Sequence, residues 1–326
     1  MEDLILCLKC VNRITKNTDT EKNSVEQNNG VGLVVKSTGG LYYVEQTGGE
    51  TVECRAKGSF RHDGISPLAG DRVTFEKLSD GTGFITEIHP RKNTLVRPAV
   101  ANVDLLVVVS ASADPDPDLF ILDKLTAVAV FNGVDVMMVF NKNDVKSAES
   151  LTSLYQNAGF MALPMCAKDS EGYKEGLESI RRTLSGKTSF FTGASGVGKS
   201  SVMNALFPEL SLVTGEISKK IQRGKHTTRL TELFKIDDGT YIGDTPGFSM
   251  LDVAAFRLID SEGLLASFPD VAKYADGCKY KKCTHVCEDG CGVVKALEEG
   301  KIAKSRHDSY ATLFKELKEI KPWMDE

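Results

Sequence analysis

The chain has 326 residues and a formal net charge of -5, with 41% hydrophobic and 26% charged residues. That length suggests two or three domains, and no stretch approaches the roughly 20 consecutive apolar residues of a membrane-spanning helix. The chain is therefore not expected to span or partner a membrane, and its eight cysteines are too few for a disulfide scaffold. The mild negative charge argues against a surface that binds polyanions everywhere, but it allows a local basic patch.

The amino-terminal segment, residues 1–29, is predicted to be a disordered extension. Residues 15–29 form a polar tract with almost no apolar side chains to bury. Glu2 and Asp3 stand where a secretory signal has Lys or Arg, so we expect a cytoplasmic protein. Cys7 and Cys10 form a CxxC pair, which on its own is more often a coincidence than half of a metal site.

Residues 30–98 are predicted to form a small all-β barrel of the oligonucleotide-binding (OB) type. Short apolar or alternating runs are separated by glycines, at 31–35, 41–44, 52–54, 71–75 and 83–88. The region is neutral to slightly basic within an acidic chain, and its basic residues include Arg55, Lys57, Arg61, Arg72, Arg91, Lys92 and Arg97. The composition fits a barrel that binds nucleic acid and a structural barrel with a solvated charged surface equally well.

Residues 99–255 are predicted to form an α/β nucleotide-binding domain. Two continuous apolar runs, 104–110 and 134–140, are typical of strands that are buried on both faces of a parallel sheet. Helical periodicity follows each run, at 119–132 and at 151–157. Further short strands are expected at 188–192 and 240–242.

The segment GASGVGKS, residues 193–200, matches the phosphate-binding pattern GxxxxGK[ST] between a predicted strand and a predicted helix. Glycines let backbone N–H groups converge on phosphate oxygens, and the helix amino terminus favours an anion. Lys199 is expected to reach the terminal phosphates, and the Ser200 hydroxyl is expected to bind Mg²⁺. The nucleotide-binding residues predicted here are Gly193, Ala194, Ser195, Gly196, Val197, Gly198, Lys199, Ser200 and Ser201.

A DxxG motif, DTPG at 244–247, follows the predicted strand at 240–242. Asp244 at a strand end can hold Mg²⁺ through water, and the Gly247 N–H can sense a γ-phosphate. DxxG is common by itself, but its place some forty residues after a phosphate-binding loop makes it informative.

An NKND motif, at 141–144, directly follows the apolar run that ends at residue 140. With Asn141 and Lys142 beside it, the Asp144 carboxylate can accept hydrogen bonds from N1–H and N2–H of guanine, whereas adenine offers no matching pair of donors. A polar turn at a strand end is the alternative for this motif alone. Together with the phosphate loop, the motif predicts a guanine nucleotide. Near Cys166, the backbone N–H of Ala167 is expected to contact guanine O6.

The order of these motifs is unusual, because base recognition precedes the phosphate loop by some fifty residues. Ordinary P-loop GTPases have the phosphate loop first and base recognition last. Both motifs here follow buried-strand patterns in one α/β segment, so we predict a circularly permuted domain. The segment after Asp244 then leads directly into the carboxy-terminal domain, and nucleotide state is expected to be transmitted there.

Residues 256–326 are predicted to form a mainly helical zinc-binding domain. Cys278, Cys283, His285 and Cys291 supply three thiolates and one imidazole within fourteen residues, which suits a closed tetrahedral zinc site. Cys287 lies inside the cluster as a spare or an alternative ligand. Removal of the metal is expected to unfold this domain and leave the nucleotide-binding core largely intact. The charged helix expected at 302–320 is most often a solvated face.

This combination resembles the ribosome small-subunit-dependent GTPase A family of circularly permuted GTPases. The resemblance runs from about residue 30 to the end of the zinc domain. It rests on GDRV at 70–73, RKNTLVRPAVANVD at 91–104, GKHTT at 224–228, the three nucleotide motifs and the zinc ligands. It implies a GTPase that binds the maturing small ribosomal subunit and its rRNA, acts late in its assembly and is stimulated by it. We expect a monomer with one structural Zn²⁺, and Mg²⁺ bound with GTP or GDP.

The resemblance also suggests how hydrolysis is catalysed. Phe248 follows DTPG where many signalling GTPases carry a Gln that orients the attacking water, so unaided hydrolysis is expected to be slow. His226 corresponds to the histidine that the family is thought to use, although a polar switch-loop residue is the alternative. Thr227 or Thr228 is expected to bind Mg²⁺, with Thr228 preferred. The surrounding segment suits contact with phosphate or rRNA, because it contains Lys219, Lys220, Arg223, Lys225 and Arg229.

Two other functions fit parts of the sequence. One is a non-catalytic RNA-binding module with a vestigial nucleotide site, but intact Lys199, Ser200, Asp244 and Asp144 argue against decay. The other is a signalling GTPase with a protein partner and no RNA, and the OB-like barrel and the basic segment argue against it.

Overall fold

The computed structural model describes residues 29–58, 60, 64–96, 99–210, 231–244, 258–260 and 262–319. The extension predicted at 1–29 lies outside these residues except for Asn29. Along the described chain a β barrel is followed by a parallel sheet with helices and then by a mainly helical carboxy-terminal part. No helix in these ranges is long and apolar enough to cross a membrane.

The barrel is closed and has five strands, which are β1 (Asn29–Thr38), β2 (Leu41–Gln46), β3 (Thr51–Ala56), β4 (Arg72–Lys77) and β5 (Gly83–Ile88). The strand order is β1-β2-β3-β5-β4, and the pairing of β4 with β1 closes the barrel. Alternate residues point inward and fill the interior, as in the small OB-type barrel predicted from the sequence; they include Val34, Val44, Val52, Val73, Phe75 and Ile85.

A short hairpin, β6 (Thr94–Val96) and β7 (Ala99–Ala101), links the barrel to the second sheet. The strands of this sheet are β8 (Leu105–Ala111), β9 (Asp135–Asn141), β10 (Met161–Pro164), β11 (Thr188–Thr192), β12 (Thr231–Asp237) and β13 (Thr240–Asp244). Their order is β10-β9-β8-β11-β13-β12, with only β12 antiparallel to its neighbour. Helices α1 (Leu119–Phe131), α2 (Glu149–Asn157), α3 (Lys174–Leu184) and α4 (Lys199–Leu206) connect the parallel strands.

The barrel and the parallel sheet share a strand pairing, so that eleven strands form one continuous sheet. Strand β1 pairs antiparallel with β12, and Lys36 forms an ion pair with Glu232 at 3.0 Å across this junction. Glu45 in β2 adds a second connection, because it accepts hydrogen bonds from Lys235 at 2.9 Å and from Tyr241 at 3.2 Å. The barrel is thus joined to the strand that begins just after residues 211–230.

The carboxy-terminal part contains α5 (Pro269–Ala272), α6 (Gly292–Glu298) and α7 (Lys304–Glu319). Its apolar side chains belong to the same core cluster as those of α1 and β9. The prediction that the last helix is a solvated face was wrong. One face of α7 is buried, and this face carries Arg306, His307, Ser309, Tyr310, Leu313 and Leu317.

Candidate nucleotide and metal sites

The nucleotide motifs meet at one edge of the parallel sheet. Strands β8, β9, β11 and β13 run in the same direction, so their carboxyl ends lie side by side. Asn141 is the last residue of β9, Asp244 is the last residue of β13, and the phosphate loop follows β11. Ligands of open α/β sheets bind at this edge.

The phosphate loop connects β11 to α4 and requires glycine at two positions. A side chain at Gly193 would place its Cβ 2.2 Å from the carbonyl oxygen of Val109. Gly198, directly before α4, has a φ of 86°, and a Cβ there would lie 2.2 Å from Nδ2 of Asn141. Both glycines therefore allow the loop to pack closely against the ends of β8 and β9. Ala194, Ser195 and Gly196 are exposed at the tip of this loop.

Asn141 joins the phosphate loop to the loop after β10. Its Nδ2 donates to the carbonyl oxygen of Val197 at 2.9 Å, and its Oδ1 accepts from the Ala167 N–H at 3.0 Å. Asn141 and Cys166 are both buried. A contact between the Ala167 N–H and guanine O6 stays a prediction.

The remaining part of NKND is more exposed. Lys142 has a positive φ of 62°, and its Nζ donates to the carbonyl oxygen of Asp114. The Ser112 hydroxyl donates to the Lys142 carbonyl at 2.8 Å. Asp144 is exposed, and its carboxylate has no hydrogen-bond or ion-pair partner among the described residues. Its oxygens are thus available to accept two hydrogen bonds from a base.

The loop after β8 is a part of the site that the sequence analysis missed. It contains Ser112 and Asp114, and Pro115 packs near the phosphate loop, 3.9 Å from the Cβ position at Gly196. A usable signal was the Asp- and Pro-rich stretch at 113–118, which directly follows a buried strand at the sheet edge that binds ligands.

Lys199 and Asp244 form an ion pair between the start of α4 and the end of β13. Their side chains are only 14% and 12% exposed, so the two charges face each other in a partly desolvated place. Lys199 can instead neutralise phosphate, while the Asp244 carboxylate and the nearby Ser200 hydroxyl are the oxygen donors that Mg²⁺ prefers. The described donors therefore fit a magnesium nucleotide. His226, Thr227, Thr228 and Gly247 lie outside the described residues.

The predicted zinc ligands converge in the carboxy-terminal part. The ligand atoms of Cys278, Cys283, His285 and Cys291 all lie within 4.8 Å of one another. Sγ of Cys278 is 3.7 Å from Sγ of Cys291 and 3.3 Å from Nδ1 of His285. Tetrahedral zinc bonds give S–S and S–N separations of about 3.8 and about 3.6 Å, so the cluster fits the ion. Cys287 is exposed and outside this group.

The surroundings of the cluster hold its ligands in place. His307 Nε2 is 2.8 Å from the carbonyl oxygen of His285, and the Tyr310 hydroxyl donates to that of Thr284 at 3.0 Å. Glu288 accepts hydrogen bonds from the loop, including one from the Thr284 N–H at 2.7 Å. Burial acts to raise the pKa of Glu288, but the bonds from Thr284 outweigh it and lower this pKa to about 2. Burial also lowers the pKa of His285, which favours the neutral ring that a metal needs.

A phosphate loop, a base-recognition motif and a DxxG aspartate lie at one edge of the sheet, and the base-recognition motif comes first in the sequence. This arrangement defines a circularly permuted GTPase. Residues 88–254 match the RsgA GTPase family, and residues 31–85 match the RsgA N-terminal domain. The chain belongs to the RsgA GTPase family and is a GTPase, converting GTP and water to GDP and phosphate.

Two relatives and two solved structures resemble nearly the whole chain. "Small ribosomal subunit biogenesis GTPase RsgA" of Agathobacter rectalis is 42% identical over 302 residues, covering 88% of this chain and 98% of its own length. The protein of that name in Caldanaerobacter subterraneus subsp. tengcongensis is 40% identical over 88% of this chain and 96% of its own. YjeQ from Thermotoga maritima superposes with a TM-score of 0.74 at 33% identity, covering 90% of this chain and all of its own. YloQ, described as a circularly permuted GTPase, has a TM-score of 0.72 at 29% identity, covering 92% of this chain and 99% of its own.

Proposed function

We propose that this GTPase binds the small ribosomal subunit and its rRNA, acts in the late maturation of that subunit, and hydrolyses GTP faster when bound to it. The observation that carries the proposal is the extent of the similarity. Relatives named for small ribosomal subunit biogenesis align over 96–98% of their own length and 88% of this chain. An isolated GTPase domain shared with signalling proteins would not give this coverage.

The proposed nucleotide site uses the residues at the carboxyl edge of the parallel sheet. Asp144 accepts hydrogen bonds from guanine N1–H and N2–H. Asn141, Lys142, Cys166 and Ala167 shape the base pocket. The backbone of the phosphate loop, with Ser201, surrounds the phosphates.

Lys199 has a central electrostatic role in this proposal. GTP binding would replace its ion pair with Asp244, because Lys199 would pair with the phosphates and the Asp244 carboxylate would hold Mg²⁺. Ser200 and Thr228 complete the proposed magnesium ligands, and the Gly247 N–H senses the γ-phosphate. His226 is proposed to act in catalysis when the chain is bound to the small subunit.

Zinc is proposed to have a structural role at the Cys278, Cys283, His285 and Cys291 cluster. Four protein ligands leave no open position for a substrate, which is typical of structural sites. When bound, the ion supplies a cross-link between the loop at 278–285 and the start of α6. The chain is proposed to act in the cytoplasm as a monomer, and sedimentation analysis tests its oligomeric state.

One experiment separates the proposed function from its alternatives. GTP turnover is measured for the full chain alone, with free RNA, with purified small subunits and with purified large subunits. Stimulation by small subunits alone supports the proposal, and turnover that is indifferent to ribosomes favours a signalling GTPase. An absence of turnover under all four conditions favours the vestigial RNA-binding module. The Lys199→Ala variant serves as the control for contaminating GTPases.

A further inference from the structure

The third residue of NKND, Asn143, is held by a second set of side-chain hydrogen bonds. Its Nδ2 donates to the Tyr173 hydroxyl at 2.6 Å, and its Oδ1 accepts from the Ala148 N–H at 2.7 Å. The backbone N–H of Asn143 donates to the Met165 carbonyl at 3.1 Å. All the hydrogen-bonding groups of this side chain are thus directed at the loop and the helix beside the base pocket.

Tyr173 is a firm support for this contact because its own position is fixed at the start of α3. Its backbone N–H donates to Asp169 at 3.2 Å, and its carbonyl accepts from Leu177 at 3.0 Å. The ring is half-buried and packs against the apolar cluster that includes Met165 and Leu177. The hydroxyl therefore projects from a packed ring at a helix start, thirty residues away from Asn143 in sequence.

The neighbouring Asp144 lacks comparable support. It is exposed, it has no side-chain partner among the described residues, and residues 142–148 lie between β9 and α2 outside both elements. A carboxylate that must accept two parallel hydrogen bonds from one base needs a fixed orientation as well as charge. The Asn143 side chain is the nearest group in sequence that can supply that orientation.

We propose that Tyr173 is a positioning residue for guanine recognition. It acts through Asn143 to hold the Asp144 carboxylate in the orientation that accepts hydrogen bonds from both N1–H and N2–H of guanine. This inference rests on the proposed role of Asp144 in the guanine site. Asn141 has a separate task, since its bonds run to Val197 in the phosphate loop and to Ala167 in the loop after β10.

The test compares two nucleotides that differ by one amine. Inosine diphosphate keeps the N1 proton of GDP but lacks the N2 amine, so the ratio of its Kd to that of GDP reports the second hydrogen bond. Tyr173→Phe removes only the hydroxyl. We expect the variant to lower GDP affinity by about three- to tenfold and inosine diphosphate affinity by less, so that the ratio falls. Tyr280→Phe, at an exposed ring away from the site, is the matched control.

The readout excludes a purely structural role for the hydroxyl. If Tyr173→Phe weakens both nucleotides equally, or neither, the proposal is overturned. Thermal unfolding of the variant confirms that it is folded, and an Asn143→Ala, Tyr173→Phe cycle should show that the second change adds nothing to the first.

Asp144→Ala separates failure of the inference from failure of the proposed site. If this variant binds GDP and inosine diphosphate with the wild-type ratio, the guanine role of Asp144 fails and the inference fails with it. If Asp144→Ala abolishes the preference for GDP but Tyr173→Phe does not lower it, only the positioning role is wrong.

Discussion

Arg306 and Asp123 form a buried ion pair that joins the last helix to α1 of the GTPase domain, with Nη1 and Oδ1 2.8 Å apart and both side chains 1% exposed. Arg306 also bonds both carboxylate oxygens of Asp270, at 3.0 and 2.9 Å, and lies 4.6 Å from the centre of the Phe268 ring. The Tyr155 hydroxyl donates to Asp123 at 2.9 Å. A single guanidinium therefore connects α1, α2, α5 and α7, and the zinc-binding part is not an independent appendage.

Replacing Arg306 with alanine should strongly destabilise the chain. The change leaves Asp123 and Asp270 buried without their cation, and we expect a loss of about 3–5 kcal/mol in the free energy of unfolding. Chemical denaturation measures this loss. Lys304→Ala removes a neighbouring surface ion pair with Asp308 and should cost only about 0.5 kcal/mol. Equal losses in the two variants would show that the buried network contributes little.

The loss caused by Arg306→Ala should also depend on pH. Burial raises the pKa of Asp123 above its ordinary value, and Arg306 opposes that rise. Without Arg306 the pKa of Asp123 rises further, so the protonated form is favoured and the destabilisation becomes smaller as pH falls. Denaturation of both proteins at pH 8 and pH 5.5 should show a smaller difference at the lower pH. A difference that grows on acidification would contradict this account.

Removal of zinc should destabilise the GTPase domain as well as the zinc loop, residues 278–291, which carries the metal ligands. The sequence alone predicts an independent effect, but α7 bonds the zinc loop through His307 and Tyr310 and shares the core of α1. We expect a chelator to increase hydrogen exchange in α1 and to lower the unfolding temperature of the whole chain. Cys287→Ser should still bind one zinc ion per chain. Unchanged exchange in α1 after metal loss would restore the picture of separate domains.

The sequence predicts best those parts of the fold that repeat a local pattern. The buried run that becomes β9 and the glycine pattern of the phosphate loop can each be recognised within a few consecutive residues. Arg306 could not be recognised in the same way, because it stands among Lys and Glu in a charged helix. Its partner Asp123 is 183 residues away, and only the tertiary fold brings the two together. The Asn143 contact with Tyr173 has the same origin, since nothing in NKND specifies which distant hydroxyl will accept a hydrogen bond from the Asn143 amide.

Asn141→Ala should weaken nucleotide binding through the shape of the pocket. The change removes two hydrogen bonds and leaves the Val197 carbonyl and the Ala167 N–H without their partner. At about 1–3 kcal/mol for each buried group, we expect GDP affinity to fall by tenfold or more. Calorimetric titration measures this change. Asn132→Ala, which removes a capping bond at the end of α1, is the control and should bind GDP as the wild type does.

His226→Ala should separate catalysis from binding. If His226 supplies the group that Phe248 cannot, its removal should lower the subunit-stimulated GTP turnover by about 100-fold or more, which is the usual effect of losing general acid–base assistance. The affinity for GTP should stay within about twofold, because Lys199 and Asp144 are untouched. Single-turnover hydrolysis with purified small subunits, together with GTP binding by the same preparation, measures both effects. A variant that hydrolyses GTP at the wild-type rate on the subunit would exclude His226 and direct attention to another group in the segment at 211–230.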